Sequence, residues 1–241
     1  MLSFRAQRKL VTVTRNAKMT DYQLNNIDPG DIDDLLLQVE KSFDIKFAQA
    51  ELSHVTTFGE LCDQIANKIE LENSEDCTTQ QAFYKLRQSI STVLLFNLND
   101  LTPKTLINQI LPRPTRVSKI KKLEMHLGFK LDILRPRHSI SGSLIFILLA
   151  SIIGVFFNWK IGISGLSISI IGLWFAYKVG KEADLTTLGQ IAEKMTRENY
   201  LKSRRNSKTF NKKEIEKILT FWFSDQLDLD KSKLTRDAKL V

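Results

Sequence analysis

The sequence predicts a mostly α-helical protein that carries a two-helix transmembrane hairpin. Apolar residues recur at helical spacing through most of the chain, and several of these segments begin with a residue that caps a helix N-terminus. Two long apolar runs without a charged residue lie close together, separated by three residues. These observations predict helical domains on both sides of a membrane anchor in the sequence.

Charge divides the chain into acidic and basic parts. Residues 21–76 contain 14 acidic and 3 basic residues, whereas residues 77–138 contain 11 basic and 3 acidic residues. From residue 178 onward, 15 basic residues accompany 10 acidic ones. We therefore divide the chain into a basic tail or mis-started N-terminus (1–20), an acidic helical domain (21–76), a basic three-helix domain (77–138), the hairpin (139–178) and a C-terminal helical segment (179–241).

The sequence contains no pattern that indicates a catalytic centre or a metal site. Cys62 and Cys77 predict neither a disulfide framework nor a metal cluster, and the three histidines share no ligand spacing. Nucleotide-binding, serine-hydrolase and zinc-protease motifs are missing from the sequence. We therefore expect a protein that is not an enzyme and that binds no metal.

The first 18 residues carry five basic residues and no acidic residue. This composition is typical of a mitochondrial transit peptide. A basic tail, or translation that starts at Met19, accounts for it equally well. A mitochondrial inner-membrane anchor protein is therefore an alternative to a bacterial membrane protein.

Residues 28–43 have the features of a helix with one apolar face. Asp28 and Pro29 are preferred residues at the N-cap and at the first helical position, and acidic residues in the next turn suit the helix dipole. Apolar residues recur at helical spacing as far as Phe43. A second helix is predicted over residues 57–69, with a threonine as its cap.

This acidic segment resembles the latter part of an acyl carrier protein over about residues 28–69. The resemblance lies in LLLQVEKSFDIKFAQAELSHVTTFGELCDQIANKI, with an acidic helix that ends in Glu-x-x-Phe and a later Thr-x-x-(Glu/Asp)-Leu helix. It implies a small four-helix bundle. It also implies a phosphopantetheine arm on a serine at the start of the acidic helix, but counting back from Phe43 places Pro29 there, and proline has no hydroxyl.

The resemblance further implies a docking surface, because carrier proteins are recognised through the acidic face of this helix by basic patches on partner enzymes. The residues expected to contact such a partner are Asp31, Asp33, Asp34 and Glu40. We expect no cofactor; phosphopantetheine belongs to the alternative of a working carrier with an unrecognised serine. Ser42 and Ser53 are nearby, but neither follows the family's Asp-Ser-Leu pattern.

The C-terminal region resembles the missing first helix of the same family. VTTFGELCDQI at 55–65 recurs as LTTLGQIAEKM at 185–195, and KKEIEKILTFWFSDQLDLDKSKLTRDAKLV resembles a carrier protein's first helix with the loop after it. We therefore expect residues 211–241 to dock with residues 28–69 as a split bundle, within one chain or between two chains. Chance similarity between short amphipathic helices is the alternative.

Three helices are predicted in the basic domain. The first covers residues 78–96, the second begins at Thr102 and Pro103, and the third ends before Gly128. Basic residues cluster from here to the exit of the hairpin, where we expect them to contact anionic lipid. Contact with the acidic domain and binding of nucleic acid are the alternatives, and motifs for the latter are missing from the sequence. The predicted lipid-surface residues are Arg113, Arg116, Lys119, Lys121, Lys122, Arg135, Arg137, Lys178 and Lys181.

The two apolar runs, Ile140–Phe157 and Ile161–Tyr177, are each just long enough to cross a bilayer as helices. A buried core hairpin of a soluble domain is the alternative. Basic residues flank the pair on its outer sides, so the positive-inside rule places both termini on the cytoplasmic side of a bacterial cytoplasmic membrane. Neither run contains a carboxylate or a histidine, so we expect an anchor and not a transporter.

The predicted fold is therefore mostly α: a small acyl-carrier-like bundle, a second small helical domain, a transmembrane hairpin and C-terminal amphipathic helices. The predicted function is a membrane-anchored scaffold that docks a basic partner protein or an enzyme of acyl metabolism. Membrane lipid is the second expected partner, nucleic acid is not expected, and the sequence leaves open whether the protein forms a homo-oligomer.

Overall fold

The computed structural model describes residues 29–48 and 51–240. The expectations for residues 1–18, and for Asp28 as a helix cap, lie outside these residues. Within the described part of the chain there are ten α-helices and four strands of two residues each. The prediction of a mostly helical protein is confirmed.

The helices are α1 (Pro29–Phe43), α2 (Phe58–Lys68), α3 (Thr78–Leu94), α4 (Ile107–Ile110), α5 (Arg116–Leu127), α6 (His138–Phe157), α7 (Trp159–Val179), α8 (Leu188–Glu198), α9 (Tyr200–Ser203) and α10 (Lys212–Gln226). Short 3-10 helices follow α3 and α10, at Leu98–Asp100 and Lys231–Lys233. The strands are β1 (Glu72–Asn73), β2 (Leu134–Arg135), β3 (Glu182–Ala183) and β4 (Thr209–Phe210).

The chain divides into two compact units. The first unit joins the residues before Ala82 to those from Thr196 onward, and the second unit comprises Ala82–Met195. Because the second unit lies inside the sequence of the first, the first unit is closed by segments that are far apart along the chain.

The core of the first unit is built from α1, α2 and α10. Phe58 of α2 and Phe223 of α10 are fully buried, and their rings meet edge to face with centroids 5.2 Å apart. Phe43 at the end of α1 meets Trp222 of α10 in the same way, at 6.5 Å. The expected docking of the C-terminal segment on the acidic segment is therefore confirmed, and it occurs within one chain.

The second unit repeats this architecture, with α3, α5 and α8 in the places of α10, α1 and α2. Its core contains buried side chains from all three helices, among them Leu86 of α3, Leu123 of α5 and Ile191 of α8. The internal repeat therefore extends beyond the eleven residues whose sequences are similar at 55–65 and 185–195.

Backbone hydrogen bonds at the start of the last helix are repeated in the two units. The amide of Gly59 donates to the carbonyl of Arg236 at 2.8 Å, and the amide of Gly189 donates to the carbonyl of Pro103 at 2.9 Å. The acceptors lie in two irregular segments that cross the N-termini of α2 and α8, and we call these segments the straps. The straps comprise residues 234–240 in the first unit and 101–107 in the second.

The second strap corrects a prediction. The helix expected to begin at Thr102 and Pro103 is formed only over α4, because the preceding residues are held in the strap by hydrogen bonds to the segment before α8. One of these bonds joins the amide of Ile107 to the carbonyl of Thr186 at 2.9 Å. These long-range bonds outweigh the local capping preference.

The ends of α1 and α5 are also closed in the same way. A carboxylate oxygen of Glu40 accepts a hydrogen bond from the amide of Phe47 at 2.7 Å, and Glu124 accepts one from the amide of Leu131 at 2.8 Å. The residue that follows each helix has a positive φ, 53° in the first unit and 80° in the second. Such a residue ends a helix and turns the chain. The repeat therefore extends to hydrogen bonds and backbone angles.

The two units also differ in the connection before their last helix. Residues 44–57 join α1 to α2 in the first unit, whereas the helices α6 and α7 are inserted between α5 and α8 in the second. Strands β2 and β3 pair in antiparallel fashion at the base of this insertion. In the first unit β1 and β4 pair in parallel where the chain leaves that unit and returns to it. Each insertion is thus closed by a short strand pair.

The inserted helices pack against each other as a hairpin. They have 20 and 21 residues and are long and apolar enough, by length and composition, to cross a membrane. Gly165 of α7 lies so close to Ser151 of α6 that a Cβ atom there would overlap the serine side chain. Within the apolar stretches of the two helices, no residue of α6 and only 11% of those of α7 are buried, and Phe146 and Phe156 are 72% and 86% exposed. The alternative of a buried core hairpin is therefore wrong.

Candidate functional site

The start of α1 has an equivalent position in the second unit, three residues before α5 begins. α1 begins at Pro29, where the resemblance to acyl carrier proteins places the attachment serine. Since Phe43 at the end of α1 corresponds to Leu127 at the end of α5, the residue equivalent to Pro29 is Arg113. Neither proline nor arginine has a hydroxyl group. Both units therefore lack an attachment atom at this position.

The two nearby serines have different environments. Ser42 is buried, its hydroxyl donates a hydrogen bond to the carbonyl of Arg197, and it accepts one from the amide of Tyr200 at 3.2 Å. Ser53 is exposed and lies between the two helices, away from any helix start. Ser42 is therefore a packing residue, and only Ser53 of this pair presents a hydroxyl at the surface.

The predicted partner-binding residues lie on α1. Asp31, Asp33 and Asp34 are exposed in its first two turns. Leu37, one turn further on, is 60% exposed although it is apolar. Glu40 is half-buried, and its carboxylate closes the end of the helix through the bond to the amide of the residue seven positions later. The three aspartates and the exposed leucine form a continuous strip, whereas Glu40 has a structural partner.

Arg116 does not fit the predicted lipid surface. It is only 3% exposed, and its guanidinium donates to the carbonyls of Leu111 and Lys181, at 2.9 and 2.7 Å, and to the side-chain oxygen of Asn108 at 2.6 Å. Lys119 is half-buried, and its ammonium group donates to a backbone carbonyl at 3.0 Å. Spacing along the sequence could not separate these inward-facing residues from their exposed neighbours.

Two other predicted lipid-surface residues form ion pairs within the second unit. Arg113 pairs with Glu182 at 2.6 Å, and Arg135 pairs with Asp184 at 3.5 Å. The remaining residues of the predicted set are exposed: Lys121, Lys122, Arg137, Lys178 and Lys181. The basic side chains that can meet a partner or a membrane are therefore fewer than the sequence predicts.

The first unit contains a buried polar cluster that the sequence did not indicate. Arg204 is 1% exposed, lies 3.8 Å from the carboxylate of Glu214 and donates to the hydroxyl of Thr78. The hydroxyl of Tyr200 also donates to Glu214, at 2.7 Å, and burial raises the pKa of this tyrosine to about 12. One terminal nitrogen of Arg204 has no hydrogen-bond partner among the described residues. The cluster joins α9, α10 and the start of α3 where the first unit is closed.

The described residues offer no group for metal binding, and one of the two thiols is buried. Within residues 29–48 and 51–240, no three His, Cys, Asp or Glu side chains lie close enough together to hold a metal ion. Cys62 is buried in the core of the first unit, and burial raises the pKa of its thiol to about 12. This thiol therefore stays protonated at neutral pH and acts as a packing group.

Comparisons with protein-family models, with curated proteins and with solved structures give no match to this chain. Function must therefore be inferred from the chain's own side chains and from its repeated architecture.

Proposed function

We propose that this protein is a membrane-anchored, acyl-carrier-like interaction protein that holds no phosphopantetheine arm. The observation that carries the proposal is that the equivalent positions Pro29 and Arg113 both lack a hydroxyl. The order expected of a carrier bundle is a first helix, a loop, an acidic second helix and a last helix. The first unit has this order in space: α10 is the first helix, its strap is the loop, α1 is the acidic helix and α2 is the last helix. This order supports the proposal.

The α6–α7 hairpin is the anchor in this proposal. Its length suits the hydrocarbon layer, and its exposed apolar side chains need lipid around them. Because a hairpin returns the chain to the side from which it entered, both units lie on the same face of the membrane. The basic residues at its open end place that face in the cytoplasm.

The acidic surface formed by Asp31, Asp33, Asp34 and Leu37 is the docking site in this proposal. Asp31, Asp34 and Leu37 follow one another at three-residue intervals, so they lie along one face of α1. An apolar side chain surrounded by carboxylates suits a partner that presents basic residues around an apolar contact. A basic enzyme or protein at the membrane surface is the partner class that fits.

The proposed lack of an arm is tested by intact mass. The full chain is coexpressed with a broad-specificity phosphopantetheinyl transferase, purified in detergent and weighed. We expect no mass gain, since the two equivalent positions have no hydroxyl and Ser42 is buried. A phosphopantetheine adduct would contradict the proposal in favour of a working carrier, and Ser53→Ala would show whether the exposed serine holds it.

The proposed docking surface is tested by photo-crosslinking in cells from a photoreactive amino acid at Leu37. We expect a crosslinked product that is lost when the three aspartates of α1 are replaced by asparagine. The matched control removes three exposed carboxylates elsewhere in the first unit, through Glu70→Gln, Glu72→Gln and Asp225→Asn. A product that survives both triple variants, or that both abolish, would contradict a docking site on α1.

A further inference from the structure

A cavity of about 360 Å³ lies at the open end of the hairpin in the second unit. One part of its wall is apolar and comes from the two inserted helices, with Ile140 of α6 and Phe175, Ala176 and Val179 of α7. The other part is charged and comes from the chain segments just outside these helices. The cavity therefore has two chemically different ends.

The charged end is basic. Arg113, Arg137, Lys181 and Glu182 line it. Glu182 is paired with Arg113 at 2.6 Å, so the positive charges of Arg137 and Lys181 are left without a carboxylate within ion-pair distance among the described residues. Two exposed positive charges at the end of an apolar cavity favour a ligand with a negatively charged group.

The apolar end extends into the hairpin. Val179 is the last residue of α7, and Gly172, seven residues earlier, also lines the cavity. At 1.5 Å per residue these positions are separated by about 10 Å along the helix. A small soluble anion would leave this apolar wall uncovered, and an uncharged lipid would leave the basic end unpaired. A molecule with an anionic head and a hydrocarbon chain matches both ends.

The fold holds the charged end in place. Strands β2 and β3 pair beside it, and Gly180 lies against the backbone of Arg135 so closely that a Cβ atom would overlap it. The buried guanidinium of Arg116 donates to the carbonyl of Lys181 at 2.7 Å. The backbone that carries Lys181 and Glu182 is therefore fixed by several bonds, which lowers the entropy cost of ordering a ligand there.

We propose that this interfacial cavity binds one anionic phospholipid molecule. Its phosphate lies between Arg137 and Lys181, and an acyl chain covers Ala176 and Phe175. The proposal rests on the anchoring part of the proposed function and is independent of the acyl-carrier-like part. It makes the hairpin a lipid-selective anchor and limits specific lipid contact to one built site within the broader basic region.

The test is native mass spectrometry of the full chain released from nanodiscs. The nanodiscs contain phosphatidylglycerol or phosphatidylcholine with identical acyl chains. We expect one retained phosphatidylglycerol, and a decrease of roughly fivefold in its affinity for each charge removed by Arg137→Gln and Lys181→Gln. The control pair Lys104→Gln and Lys208→Gln removes the same charge from exposed lysines outside both the cavity and the predicted lipid surface, and it should leave the affinity unchanged.

A second variant tests the apolar end without changing charge. Ala176→Phe fills the cavity and should reduce lipid retention, whereas Ala150→Phe, on the exposed surface of α6, should not. Displacement of the bound lipid by inorganic phosphate alone would show a site for a free anion and would overturn the proposal. Equal retention of the two lipids, or equal effects of the cavity and control variants, would also overturn it.

Extraction of membranes with alkaline carbonate separates this proposal from the proposed function. If the chain is extracted, it is not anchored by its hairpin, and both proposals fail. If the chain stays in the membrane but shows no lipid selectivity, only the interfacial cavity is wrong and the anchor stands.

Discussion

The two units share one architecture but are assembled from the chain in different ways. The second unit takes α3, α5 and α8 in sequence order and accommodates the hairpin as an insertion. The first takes α10 from the far end of the chain and packs it on α1 and α2. The same helix contacts, straps and turns thus form whether the first helix precedes or follows the others. Packing, and not connectivity, defines the bundle.

The two units can also be compared at the junctions where each insertion begins and ends. Both units place a buried arginine beside the strand pair that closes the insertion, Arg204 in the first unit and Arg116 in the second. Arg116 has three hydrogen-bond acceptors and lies 3.9 Å from the carboxylate of Glu182. Arg204 donates to the side-chain oxygens of Thr78, Tyr200 and Thr209 and to the carbonyl of Asp76, and it lies 3.8 Å from the carboxylate of Glu214. One of its terminal nitrogens has no partner in the described chain, and the side chain of Glu214 is more buried than that of Glu182, at 13% against 33% exposed. Loss of the carboxylate should therefore cost more in the first unit.

Removal of α10 should have the largest effect, and this effect should be confined to the first unit. Truncation after Asn206 deletes Leu219, Trp222 and Phe223, which are buried in the core of the first unit. At about 1.5–3 kcal/mol for each large apolar side chain, this loss approaches the whole stability of a small domain. Hydrogen exchange should increase throughout α2 and stay unchanged in α5. Unchanged protection of α2 would contradict the split bundle.

Loss of the carboxylate beside Arg204 should have the next largest effect. Glu214→Ala leaves a buried positive charge without its partner, and such changes cost about 3–5 kcal/mol. Glu182→Ala is the matched change in the second unit and should cost about 1 kcal/mol, because the Glu182 side chain is 33% exposed and its shortest ion pair is with the exposed Arg113. Denaturant unfolding followed by hydrogen exchange assigns each loss to a unit. Equal losses would show that the two junctions are not different.

The glycines beneath the straps provide a third comparison. A Cβ atom at Gly59 would lie 2.7 Å from the carbonyl oxygen of Arg236, whereas one at Gly189 would lie 3.0 Å from that of Pro103. Gly59→Ala should therefore cost about 2–3 kcal/mol through overpacking, and Gly189→Ala less than about 1 kcal/mol. Thermal unfolding of each variant checks the ranking. A larger loss for Gly189→Ala would contradict this difference between the two straps.

The caps of α2 and α8 should differ only in their response to pH. Glu60 and Gln190 accept equivalent hydrogen bonds, and those from Thr56 and Thr57 lower the pKa of Glu60. A lowered pKa contributes stability that is present above the ordinary glutamate pKa and is lost as the pH falls through the lowered value. Acid should therefore weaken α2 but not α8.

Exchanging the two side chains tests this directly. Glu60→Gln should remove the acid sensitivity at the start of α2, and Gln190→Glu should introduce it at the start of α8. The expected effect is the smallest of the four, because the cap is exposed. It is measured by hydrogen exchange at the starts of α2 and α8, compared between neutral and acidic pH. Unchanged acid sensitivity in Glu60→Gln would assign it to another carboxylate.

Local signals in the sequence predicted most helices but not how they assemble. α1 begins at Pro29, α2 follows its threonine cap and α5 ends before Gly128, because these boundaries depend on capping and φ preferences that act within a few residues. The exception lies at residues 101–107. Their hydrogen bonds go to residues about 80 positions away, and no local pattern reports such partners.

The repeat in the second unit was missed although the sequence contains it. EKSFDIKF at 40–47 and EMHLGFKL at 124–131 share the glutamate, the apolar positions and the lysine. The hairpin separates the second of these segments from its matching last helix, so the repeat is not seen as one block. For the candidate site, exposure decided the outcome: the three aspartates of α1 face solvent as expected, whereas Arg116 is buried.

The closure of the first unit by α10 has a consequence for how the protein is made. A ribosome synthesises α1 and α2 early and reaches Phe223 about 150 residues later, so at roughly 5–20 residues per second these nascent helices wait roughly 8–30 s for the aromatic side chains that cover them. The hairpin emerges within this interval. Nascent chains therefore acquire the folded acidic surface only after their hairpin has been made, which links the appearance of the proposed docking site to the synthesis of α10.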